Sequence, residues 1–169
     1  MGIEVKLSYY MPIEYETAYG TYDVTTNTLF LNAAILQDAP RYEWLFYLFH
    51  ELRHAMQYLC PMLFDWRIRE SMGYVVLYNG SCYKLVENEW QECVLSGDDD
   101  YFTRAYMSLP YEIDANTFAY EKARELCGDS AELQALLNFW VPKDSFYYGE
   151  HRKLFRRIDE ELSAKGKES

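Results

Sequence analysis

The sequence predicts an α+β fold, with a small N-terminal antiparallel sheet packed on one long helix and further helices towards the C-terminus. Three observations carry this expectation. Short strand-like segments fill the N-terminal region, a long apolar stretch lies between Pro40 and Pro61, and helical runs punctuated by Pro110, Gly128 and Pro142 follow.

Ile3 to Tyr9 alternates and ends ahead of Pro12, as a first strand would. Beyond Gly20, Tyr22–Val24 and Thr28–Asn32 read as the arms of a hairpin turning over Thr25-Thr26-Asn27. The second arm, directly before the long helix, is expected to offer an open edge to an extended peptide. Asp38-Ala39-Pro40 breaks the pattern, and the helix expected from Arg41 to Cys60 is stopped by Pro61. Tyr74–Tyr78 and Ser81–Val86 form a hairpin pattern around Asn79-Gly80, a dipeptide suited to left-handed turns, with a helix over Arg67–Tyr78 as the competing reading. Ser96–Asp100 is a solvated loop or a helix start, and Asp99–Met107 a short helix. Tyr111–Leu126, closed by Cys127-Gly128, is a strong helix; Asp129–Trp140 and Ser145–Ala164 are the last two. No repeat, low-complexity tract or linker divides the chain, so a single domain is expected over 1–169.

Composition narrows the function. The chain carries 27 acidic against 16 basic residues, a formal net charge of −11, which argues against nucleic acid as a partner. Met1–Tyr10 has neither the basic start nor the apolar stretch of a signal peptide, and no segment has the length of a membrane span, so a cytoplasmic location is expected. Cys60, Cys82, Cys93 and Cys127 lack paired C-x-x-C spacing and read as buried reduced thiols.

Within the long helix, Leu48-Phe-His-Glu-Leu-Arg-His-Ala-Met-Gln-Tyr58 holds His50, Glu51 and His54 in the H-E-x-x-H spacing of a zinc peptidase helix. Residues four apart lie on one helix face, so His50 and His54 can aim at one metal ion. Glu51 is turned off that direction and suits a general base acting on a water at the open metal position. The competing reading is two partly buried structural histidines and a surface glutamate. Arg53 is the discordant residue, expected on the helix's polar side and paired with Glu43 or a C-terminal carboxylate.

A catalytic zinc site takes three protein ligands, so a third must come from elsewhere. His151 lies within Glu150-His151-Arg152-Lys153, a polar pattern in which an exposed histidine is expected. The helix opening Pro110-Tyr-Glu-Ile-Asp-Ala-Asn-Thr-Phe-Ala119 places Glu112 and Asn116 four apart on one face, so one can bind metal while the other orients a ligand histidine. Asp114 is the alternative ligand, although two residues on it points about 200° round the helix.

Together, the H-E-x-x-H helix after a short strand and the second block from Glu112 to Ala119 resemble the small cytoplasmic zincin peptidases of the ImmA/IrrE type. The resemblance spans Gly20 to about Lys122, with Arg53 where a glycine is common and an unusually long separation between His54 and Glu112. It implies a compact zincin-like metallopeptidase domain with an insertion over 64–102 beside the cleft. It also implies Zn²⁺ on His50, His54 and Glu112, with Asn116 supporting a ligand histidine. The expected activity is peptide-bond hydrolysis with Glu51 as general base, on a peptide or protein substrate such as a transcriptional regulator. The rival expectations are a catalytically weak or inactive zincin-like binding module and a metal-free structural protein.

Overall fold

A computed structural model of the chain describes residues 2–168. Its class is α+β: among the described residues there are two three-stranded sheets and seven α-helices. The chain divides into two compact units, one formed by Met1–Phe64 with Asp114–Trp140 and the other by Asp65–Ile113 with Val141–Ser169. The insertion expected over 64–102 falls almost wholly in the second unit.

In the first unit, β1 (Lys6–Ser8), β2 (Gly20–Asp23) and β3 (Thr28–Leu31) form a sheet in the order β1-β3-β2. The β2–β3 hairpin is antiparallel and pairs Gly20 with Leu31 and Asp23 with Thr28. Its turn is fixed by Asp23, whose carboxylate accepts from Thr25 N at 2.8 Å and from the hydroxyls of Thr25 and Thr26, while Asn27 takes the left-handed conformation at φ 51°. Two expectations need correction here. The sheet is mixed rather than wholly antiparallel, because β1 runs parallel to β3. That pairing also makes β3 the central strand, so Thr28–Leu31 offers no open edge; the edges belong to β1 and β2. Alternation in sequence says which side chains share a face, but not which strand fills the next place.

After α1 (Ala33–Leu36) comes α2 (Arg41–Leu59), which starts directly after Pro40 and ends at Cys60, before Pro61. Its buried face meets the sheet through a cluster containing Leu29, Leu31, Phe46 and Tyr47, to which Ala119, Ala123 and Leu133 also belong.

The second unit begins with α3 (Trp66–Ser71), capped by the Asp65 carboxylate accepting from Arg67 N at 2.9 Å. The sheet of β4 (Tyr74–Val76), β5 (Ser81–Val86) and β6 (Glu89–Val94) follows. Both expectations for this stretch hold in part: a short helix and then the hairpin around Asn79-Gly80, with Gly80 at φ 84°. Strand β6 had no counterpart in the sequence reading. The second unit continues with α4 (Asp99–Met107), whose N-cap Asp98 accepts from Asp100 N at 2.7 Å. After α4 the chain forms α5 (Pro110–Cys127), which from Asp114 onward belongs to the first unit, then α6 (Ala131–Trp140), also of the first unit, and α7 (Tyr148–Glu168) of the second. Helix α5 has proline at its first position and left-handed Gly128 after its last, Gly128 N–H donating to Arg124 O at 2.9 Å. No described helix is long and apolar enough to cross a membrane.

Candidate metal centre

Helix α2 presents His50 and His54 one turn apart, with their Nε2 atoms 3.0 Å from each other. Two imidazole nitrogens bound to one tetrahedral zinc at 2.0–2.1 Å stand about 3.3 Å apart, so the pair is close to the spacing that shared ligation needs. Glu112, in the first turn of α5, completes a group: one donor atom from each of His50, His54 and Glu112 lies within 4.8 Å of the others. His54 and Glu112 are buried and His50 is half-buried. Asp114 and His151 are not part of this group.

Glu51 has its own setting. It is 5 % exposed, and its Oε1 lies 4.0 Å from His50 Nε2, beside the convergence of donors. The start of β2 presses on it. A Cβ on Gly20 would stand 2.9 Å from Glu51 Cγ and 3.0 Å from the Phe30 carbonyl oxygen, so only glycine admits the carboxylate at this approach. Tyr19, the preceding residue, stacks on Tyr47 with ring centroids 4.3 Å apart, and Tyr47 lies one turn before Glu51 on α2.

Behind His54 runs a chain of hydrogen bonds. His54 Nδ1 lies 2.9 Å from Gln57 Oε1, and Gln57 Nε2 donates to Asp114 Oδ2 at 2.8 Å. Arg53 donates to the same carboxylate through Nε at 2.8 Å and Nη2 at 3.1 Å. Its guanidinium is held between the rings of Phe64 and Phe118, 4.6 and 4.5 Å from their centroids. Arg53 therefore pairs with Asp114, not with Glu43 or a C-terminal carboxylate as expected. A guanidinium wedged between two rings faces the neighbouring helix, so its partner comes from α5.

The structure places Asn116 at 2 % exposure with its Oδ1 making no hydrogen bond, whereas the side chain at His54 Nδ1 is that of Gln57, through its acceptor Oε1. Sequence reasoning missed Gln57, although its position three residues after His54 puts it on the same helix face. It also missed Gly20, for which sequence carries no signal. His151 departs from the exposed position expected of it. It is 1 % exposed within the second unit, Nε2 lies 3.2 Å from Ala105 O, and burial lowers its pKa, opposed by that carbonyl and by Glu150.

The thiols are distributed differently from the expectation. Cys82 and Cys93 are buried, Cys60 is half-buried and Cys127 is exposed. Burial pushes the Cys82 thiol up to about 12.

Comparison of the chain with protein-family models, curated proteins and solved structures finds no significant match in any of the three.

Proposed function

We propose that the chain is a zinc-dependent peptidase of zincin-like fold that hydrolyses a peptide bond with Glu51 as general base. The observation that carries this reading is the convergence of His50, His54 and Glu112 on an H-E-x-x-H helix. Two imidazoles and one carboxylate are a donor set of catalytic zinc sites, in which a fourth position stays open. The set also fits the ion in charge, since one carboxylate leaves the centre cationic and able to act as a Lewis acid.

In this reading His50, His54 and Glu112 hold the zinc, which when bound polarises a scissile carbonyl and acidifies a water. Glu51 takes the proton of the attacking water and delivers it to the leaving amine. Its burial against Gly20 keeps the carboxylate aimed at the donor group rather than at bulk solvent. The substrate is an extended polypeptide lying along β2, the edge strand that reaches Glu51. A regulatory protein such as a transcriptional regulator is the specific substrate we propose.

Elemental analysis and peptide-library cleavage read by mass spectrometry test this together. Wild type carries about one zinc per chain, and His50→Ala or His54→Ala empties the site. Glu51→Gln keeps zinc but slows cleavage by about 10²–10⁴-fold, the contribution of positioned acid–base catalysis. Folded wild type that takes up no zinc sinks the metal reading. A zinc-loaded wild type that leaves every peptide intact describes a zincin-like binding module instead.

A further inference from the structure

We infer that Asp114 and Gln57 are positioning residues that set the tautomer of His54, leaving its Nε2 lone pair turned towards the metal site. The inference rests on the metal reading above and identifies what prepares one of its ligands.

Asp114 anchors the chain of hydrogen bonds. An ionised carboxylate can only accept hydrogen bonds, and this one is engaged by Arg53 through both oxygens. Gln57 is 0 % exposed, so both ends of its amide depend on protein partners. The end facing Asp114 must be the NH₂ group, because carbonyl oxygen against carboxylate oxygen at 2.8 Å would place two acceptors in contact. The other end of the amide is then Oε1, an acceptor, and it lies 2.9 Å from His54 Nδ1. His54 must therefore carry its proton on Nδ1. A neutral imidazole has one N–H, so Nε2 is left with a lone pair, directed to where His50 Nε2 and Glu112 converge.

Each link is determined by the one before it, and the first is held firmly. The Arg53 guanidinium sits between Phe64 and Phe118, which limits its motion and keeps a positive charge beside Asp114. Without that carboxylate the Gln57 amide could rotate by 180° and offer NH₂ to His54, favouring the tautomer with its proton on Nε2. That tautomer cannot ligate a metal through Nε2 until the proton leaves. Partners of metal-bound histidines change metal affinity by about 10–100-fold, which is the size of effect expected here.

The test has a readout in metal-free protein. In ¹⁵N-histidine-labelled wild type stripped of metal, long-range ¹H–¹⁵N correlation at pH 8 should show His54 protonated on Nδ1. Gln57→Leu removes the acceptor while leaving the Arg53–Asp114 pair in place; it should mix the tautomers and weaken zinc affinity about 10–100-fold in competition with a chromophoric chelator. Asp114→Ala should do the same by freeing the amide. Adding Gln57→Glu to Asp114→Ala places a carboxylate directly on His54 Nδ1–H and should restore both tautomer and affinity, which loss of packing alone would not allow. Should Asp114→Ala fail to fold, Gln57→Leu decides alone. An unchanged His54 tautomer in Gln57→Leu overturns the relay while leaving the metal reading intact. The expected tautomer in a wild type that binds no zinc overturns the metal reading while leaving the relay.

Discussion

His151 lies against Phe146, Tyr148 and Phe155, with one ring nitrogen on the Ala105 carbonyl. That surrounding favours the neutral imidazole, so the folded-state pKa lies below the unfolded value of about 6.5. The unfolded chain therefore binds the proton first on acidification. The stability contributed by the neutral ring is fully present above pH about 6.5, falls as the pH drops below that value, and is gone once the pH has passed the folded pKa. His151→Phe should cost stability at pH 7.5 through the lost hydrogen bond, yet lose less than wild type between pH 7.5 and pH 5. Urea midpoints at the two pH values decide the matter, and equal losses would show that His151 does not titrate across folding. The same residue shows where sequence reasoning stops. Glu150, Arg152 and Lys153 make its neighbourhood look solvated, and only the packing of α7 shows that His151 turns inward with Leu154, Phe155 and Ile158, three, four and seven residues on. His50 and His54 were legible as neighbours because helix geometry alone sets their relation. Gln57 and Asp114 were not, because their pairing depends on how two helices remote in sequence meet.

The helices were legible where proline and glycine punctuate them. Pro40, Pro61, Pro110 and Gly128 fix the ends of α2 and α5 to within a residue or two of expectation. The strands were less legible. Glu89–Val94 is mostly exposed, and the turn before it uses Glu87 and Asn88 at φ 51° and 66°, without the glycine that marks such turns. The role of β2 likewise emerged only from the sheet order. Asn32 N donates to Tyr19 O at 2.9 Å, so the antiparallel alternation points Thr21 towards β3 and the amides of Gly20 and Tyr22 outward. A peptide adding to this edge would bond those outward groups and pass beside Glu51. Tyr22→Pro should therefore reduce cleavage with zinc retained. Tyr22→Phe, which loses only the hydroxyl bond to Asn27, should leave cleavage near wild type. Equal rates for Tyr22→Pro and wild type would move the substrate away from β2.

Across the whole molecule, a charge of −11 gives any divalent cation a reason to gather near the surface, so zinc uptake by itself does not identify a site. Salt separates the two effects. At 0.15 M ionic strength the screening length is about 8 Å, which weakens diffuse attraction to exposed carboxylates but leaves ligation by His50, His54 and Glu112 largely unaffected. Ligation also couples to folding, because the unfolded chain does not hold these donors together. At free zinc about 100-fold above the dissociation constant, linkage adds about 2.7 kcal/mol. For a chain of this length that corresponds to a rise of about 5–11 °C in melting temperature. We expect such a rise with zinc in 0.15 M KCl, its reversal by chelator, and no comparable rise with magnesium, which prefers octahedral oxygen ligands. The His50→Ala/His54→Ala double variant should melt at the same temperature with and without zinc. A rise of equal size in that variant would place the stabilising ion elsewhere, on the half-buried or exposed thiols of Cys60 and Cys127 or on surface carboxylates, and would remove the link between the H-E-x-x-H helix and the metal.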